Sequence, residues 1–79
     1  MTEGLQFEWD DGNRNHVARH GVTPEEAEQA MANSLLPAET NWRRGELRTV
    51  CVGSTDTGRR LGVVYTVRSG LIRIVTAYP

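Results

Sequence analysis

Three apolar runs crowded into the C-terminal half constrain most strongly what this chain can fold into: LRTVCVG (47–53), LGVVYTV (61–67) and LIRIVTA (71–77). Each has the length and the β-branched content of a strand. The segment STDTGRR between the first two reads as a polar loop. RSG between the last two reads as a tight hairpin turn, with Gly70 able to take a positive φ. The second half is therefore a β-meander. The chain has 79 residues, 38% of them apolar, and a mean hydropathy of −0.48. That composition supports a single domain over residues 1–79 with one thin, two-layer core.

The first half supplies the covering layer. In LQFEW, Leu5, Phe7 and Trp9 lie on one face and Gln6 and Glu8 on the other, the pattern of a short strand with one buried side. Asp10 or Asp11 caps a helix running to about His20, with Gly21 as its left-handed stop. The asparagines and glycine of DDGNRN make its first turn weak. A second helix begins more clearly. Thr23 is its N-cap, Pro24 takes the first helical position, Glu26 completes a capping box, and Val22 and Ala27 stand where a hydrophobic staple would. Ala27, Ala30 and Met31 form its apolar stripe. SLLPAETNWRRGE reads as a loop with a brief edge strand at Leu35–Leu36. Helices first and a meander last predict an α+β fold, β-α-α-β-β-β, with two N-terminal helices on one face of an antiparallel sheet.

Composition excludes several classes. No apolar run approaches the ~20 residues of a membrane span. MTEGLQFEWD has no basic-then-apolar leader, so a cytoplasmic location is expected. The single cysteine, Cys51, can form neither an internal disulfide nor a cysteine-rich zinc site. Charge is unevenly spread. Residues 1–40 carry eight acids and two arginines; residues 41–79 carry two acids and seven arginines, and there is no lysine. An arginine-rich half is the footprint expected of an RNA binder, since the planar fork suits phosphate. The competing reading is that the two halves neutralise each other.

Arg73, at the centre of LIRIVTA, raises the sharpest question, because a guanidinium is costly to bury alone. With Ile72 and Ile74 turned toward the helices, Leu71, Arg73, Val75 and Ala77 share the opposite, open face. If Val64 also faces the helices, Tyr65 lies on Arg73's side as a cross-strand or diagonal neighbour.

Taken in order, FEWD, RHGV, the Thr-Pro-Glu-Glu-Ala helix, GELRTVCVG and VVYTVRSGLIRIVTA resemble the BrnT toxins over nearly the whole chain. The resemblance implies a RelE/ParE-like fold, a ribonuclease toxin of a type II toxin–antitoxin pair, and a BrnA-like antitoxin with a ribbon-helix-helix part through which DNA is contacted. It also implies RNA as substrate and no cofactor. Two departures stand out: Arg19 replaces the usual lysine before HGV, and Tyr78 stands where the family has an arginine after Ser-Ala. A toxin-fold module that acts only by binding a protein partner would show such a loss, as would a corepressor acting in complex.

Metal-free RNA cleavage needs a base for the 2′-hydroxyl, cations for the pentacovalent phosphate and an acid for the leaving oxygen. The catalytic candidates are Arg73, Tyr65, Glu46, Arg48 and His20; Arg68, Arg43 and Arg44 are candidates for holding RNA. Glu46 is either the base or an ion-pair partner of Arg48. Tyr65 either stacks on a base or is an ordinary sheet tyrosine. His16 and His20 are four apart, but no third ligand completes a metal set, and His20 is expected to cap the end of the first helix. Trp42 can stack on RNA, anchor an antitoxin or cover the core edge. Self-association is left open by the sequence.

Overall fold

A computed structural model describes residues 5–34 and 37–79. The elements are β1 (Phe7–Glu8), α1 (Asp11–Ala18), α2 (Pro24–Ala32), β2 (Pro37–Arg43), β3 (Glu46–Ser54), β4 (Arg60–Arg68) and β5 (Leu71–Tyr78). They form one five-stranded sheet in the order β1-β5-β4-β3-β2. The fold is α+β, as expected, but the sheet is mixed. The two-residue β1 runs parallel to β5, pairing Phe7 with Ile72 and Glu8 with Arg73. Among the described residues no helix is long and apolar enough to cross a membrane.

Both helix starts follow from local chemistry. Thr23 Oγ1 accepts from Glu26 N at 3.1 Å while Glu26 Oε1 accepts from Thr23 N at 3.0 Å, the expected capping box. Asp10 caps α1 in the same reciprocal way, with Asn13 in the glutamate's role. DDGNRN is therefore a strong helix start rather than a weak one. Asn13, 3% exposed, also donates through Nδ2 to Glu8 O and to Ile74 O, both at 2.9 Å. One buried amide thus joins the end of β1, the start of α1 and the middle of β5.

Val17, Val22, Ala27, Ala30, Cys51, Leu61, Val63, Ile74 and Ala77 form the core, with Phe7, Trp9, Met31, Tyr65 and Ile72 packed on it. Burial pushes the Cys51 thiol above its ordinary pKa, consistent with a packing role. Among the described glycines the closest approach is at Gly53, where a Cβ would come to 1.8 Å from Ala30 O. Only glycine lets the end of α2 lie that close to β3. Asn33 Nδ2, donating to Ser54 O at 2.7 Å, fastens the same junction.

The ladder corrects several sequence expectations. Ile72 and Ile74 face the helices and Arg73 does not, as anticipated. In β4, however, Val63 is the core residue and Val64 lies on the open face; Val63 pairs with Cys51 on one side and Ala77 on the other. Both faces of LGVVYTV are apolar, so alternation alone could not choose between them. A bulge in β5 leaves Val75 as the extra residue between the pairs Val64–Thr76 and Tyr65–Ile74, and it turns Ala77 into the core. Tyr65 consequently sits on the helix side, across from Ile74 and Thr49, away from Arg73. The stretch expected to be a loop before Glu46 contains β2, joined to β3 by a two-residue turn in which Arg44 (φ 52°) and Gly45 (φ 77°) are both left-handed. Ser69 and Gly70 build the predicted second hairpin in the same way. The edge strand expected at Leu35–Leu36 lies outside the described residues.

Candidate active site

On the open face, neighbouring strands aim arginines at one place. Arg48 of β3, Arg68 at the end of β4 and Arg73 of β5 line a pocket of 200 Å³ together with Gly12, Asn13, His16, Glu46 and Val75. β1 and α1 close its other side. The register that pairs Glu8 with Arg73 puts Glu8 Oε1 3.3 Å from Arg73 Nη1. Asp10 grips the same guanidinium with both oxygens, Oδ2 to Nη1 at 2.8 Å and Oδ1 to Nη2 at 3.3 Å. Arg73 is therefore neither buried alone nor loose: its side chain is 18% exposed and doubly paired. The bonds from Arg73, helped by the Asn13 N–H, hold the Asp10 carboxyl below its usual range. Asp10 in turn pushes Arg73 up. Thr66, Arg73's cross-strand partner, is buried and donates to Leu47 O at 2.8 Å.

Glu46 organises the opposite wall. Its Oε1 accepts from Arg48 Nε at 3.2 Å, and its Oε2 accepts from Arg68 Nε at 3.0 Å and Nη2 at 2.8 Å. Arg68 first and Arg48 second lower the Glu46 pKa, so the carboxylate stays ionised and acts as a brace between two guanidiniums. A hydrogen-bond acceptor so stabilised is a poor proton acceptor.

The structure thus brings together Arg73, Glu46, Arg48 and Arg68 from the expected set. Arg43 and Arg44, on the β2–β3 hairpin, line with Arg48 a neighbouring hollow of 330 Å³ and form no ion pair among the described residues. Tyr65 is excluded from the pocket by its face. His20 does not line the pocket, and no hydrogen bond joins its side chain to the helix-end carbonyls; its ring packs edge-on against Tyr78 at 6.2 Å. His16 is the imidazole at the pocket. It shares an α1 face with Gly12 and Asn13, four and three residues earlier, a spacing visible in the sequence once Asp10 is recognised as the cap. Glu8 and Asp10 were equally visible, because alternation in FEWD sets them opposite Phe7 and Trp9. Among the described residues no three His, Cys, Asp or Glu side chains gather as a metal-binding set.

The ion pairs also revise the idea of an acidic half beside a basic half. Glu8 and Asp10 stand inside the arginine face. The loop arginine Arg59 is pinned to α2, with Nη1 2.8 Å from Gly21 O and 3.3 Å from Glu26.

Comparison with curated proteins and with solved structures returns no match. The family model described as "Ribonuclease toxin, BrnT, of type II toxin-antitoxin system" matches residues 9–79, which includes Asp10, Glu46 and every arginine of the pocket. The chain belongs to the BrnT family, the ribonuclease toxins of type II toxin–antitoxin systems.

Proposed function

We propose that the open-face pocket is the ribonuclease centre and that it cleaves RNA by attack of the 2′-hydroxyl on the adjacent phosphate, without a metal. The observation that carries this reading is the convergence of Arg48, Arg68 and Arg73 on a space also lined by His16. Guanidiniums fixed in place before the substrate arrives stabilise the extra charge of a pentacovalent phosphate without reorganising. Imidazole is the side chain best suited to move a proton at neutral pH, so His16 is assigned the proton transfer. Glu46 and Asp10 are positioning residues for the arginines. Arg43 and Arg44, exposed at the hairpin, track the RNA backbone. The step forms the 2′-O–P bond and breaks the P–O5′ bond, leaving a 2′,3′-cyclic phosphate and a 5′-hydroxyl.

The same proposal takes a BrnA-like ribbon-helix-helix antitoxin as the neutralising partner and a RelE/ParE-like fold. Support for a protein partner comes from the helix side of the sheet. There Trp42 (71% exposed), Val67 (60%) and Leu47 (44%) surround a hollow of 360 Å³ that neither helix covers.

A specific observation favours the second reading, a binding module without activity: each arginine of the pocket is already matched to a carboxylate of this chain. End-group analysis separates the two. Purified protein incubated with RNA in EDTA is expected to give 2′,3′-cyclic phosphate ends. Ends of the 3′-hydroxyl, 5′-phosphate type would overturn the mechanism, and intact RNA would leave the module.

A further inference from the structure

Next to the arginine pocket, and sharing His16, Arg48 and Val75 with it, lies a groove of 580 Å³. Its floor is apolar and continuous across three strands. Val50 pairs with Val64, Val64 pairs with Thr76, and the bulge adds Val75 beside them. The valine floor lies directly beside the phosphate pocket. His16 stands at one wall, Trp42 also lines the groove, and its outer rim carries Asn41 and Arg43, which pair with Arg48 and Glu46 on the open face.

We propose that this groove is a subsite for one unpaired nucleobase of the RNA strand whose phosphate occupies the arginine pocket. The inference rests on the ribonuclease reading for its partner and adds to it the place where a base is held. Three arguments select a base. An apolar valine floor beside the His16 imidazole suits a planar heteroaromatic, and single-stranded RNA offers its bases for such stacking. The groove is continuous with the phosphate pocket through Arg48, and Arg43 at its rim has no carboxylate partner among the described residues, so the anionic strand is drawn along it. Finally, polar groups stand ready for a base edge. Among the described residues Asn41 Nδ2 donates once, to Glu39 Oε1 at 3.0 Å, which leaves its Oδ1 and second N–H there as an acceptor–donor pair of the kind amides use on base edges.

The test uses binding that does not require cleavage. Short 2′-O-methyl RNA strands are prepared intact and with one abasic nucleotide at each position in turn, and their affinities are measured by fluorescence anisotropy. One abasic position is expected to weaken binding about ten-fold or more, and the others about two-fold or less. Val64→Trp, which fills the groove, is expected to weaken the intact strand by the same factor and to leave the abasic strand's affinity unchanged. Asn41→Ala, at an exposed position where folding is not at stake, is expected to reduce discrimination among the four bases at that one position. A flat abasic scan would overturn the subsite, as would intact-strand binding that neither variant alters. Failure of the ribonuclease reading looks different: all-ribose RNA stays uncut while the abasic pattern persists, and the subsite stands. No binding of any strand overturns both.

Discussion

Arg59 and Arg73 are bonded in nearly the same way and stand in opposite kinds of place. Each guanidinium is paired with a carboxylate at the N-terminal end of a helix, Glu26 of α2 for Arg59 and the Asp10 cap of α1 for Arg73. Arg59 also donates to the Gly21 carbonyl, and its effect ends there: the β3–β4 loop is tied to the start of α2. Arg73 opens onto a pocket with two further arginines and an imidazole. An ion pair therefore does not mark a site. What surrounds the pair decides whether the guanidinium is a fastener or a ligand waiting for an anion.

The largest expected effect sharpens that contrast. Arg73→Ala is expected to lower kcat for RNA cleavage by about 10²–10³, corresponding to ~2.7–4 kcal/mol of transition-state stabilisation, with a smaller change in KM. Growth inhibition on expression should disappear with it. Arg59→Ala is expected to leave kcat unchanged and to lower the melting temperature by at most a few degrees, as for other exposed ion pairs. Arg60 is exposed and forms no ion pair among the described residues, so Arg60→Ala controls for net charge. Equal kcat values for the Arg73 and Arg59 variants would erase the distinction.

The next effect lies wholly on the fastening side. Gly53→Ala sets a methyl against the Ala30 carbonyl, and backbone must move to admit it. A loss of about 1–3 kcal/mol in unfolding free energy is expected, the usual range for overpacking. It should be seen by urea denaturation with no change in the kcat of the folded fraction. A variant as stable as the parent would mean that α2 is not pressed on β3 as described.

How far the sequence foretold these two places differs for a physical reason. The α2 end was legible, because Thr23, Pro24 and Glu26 act within one turn and need no tertiary context. The outward direction of Arg73 was legible from Ile72 and Ile74. Its partners were not read, although Glu8 and Asp10 alternate with Phe7 and Trp9, because pairing β1 alongside β5 is a contact across more than sixty residues of sequence. Tyr65 was misplaced because VVYTV is apolar on both faces and the β5 bulge resets alternation after Ile74. β2 was missed because Glu39, Thr40, Asn41, Trp42 and Arg43 are all exposed, leaving no buried face to pattern. His16 was seen only as a partner for His20, when its neighbours in space come from other strands.

The smallest expected effect concerns acid. Asp10, Glu26 and Glu46 all have pKa values held below their ordinary 3.8, 4.5 and 4.5. A carboxyl whose folded pKa is depressed contributes stability above its unfolded pKa and loses it as pH falls through the folded value. The protein should therefore keep its full melting temperature down to about pH 4.5 and lose stability progressively below. Arg73→Ala removes the first cause of the Asp10 shift but leaves the Asn13 N–H in place. Its melting temperature should fall less steeply with acid than the parent's, without becoming flat. Arg59→Ala should soften the slope through Glu26 by less, because the leading cause there is the Thr23 backbone N–H. Measuring melting temperature against pH for the three proteins ranks the two pairs by how much charge each guanidinium holds in place. Identical slopes for all three would show that the caps, not the arginines, keep these carboxylates ionised, and Asp10 would then cease to be a positioning residue for Arg73.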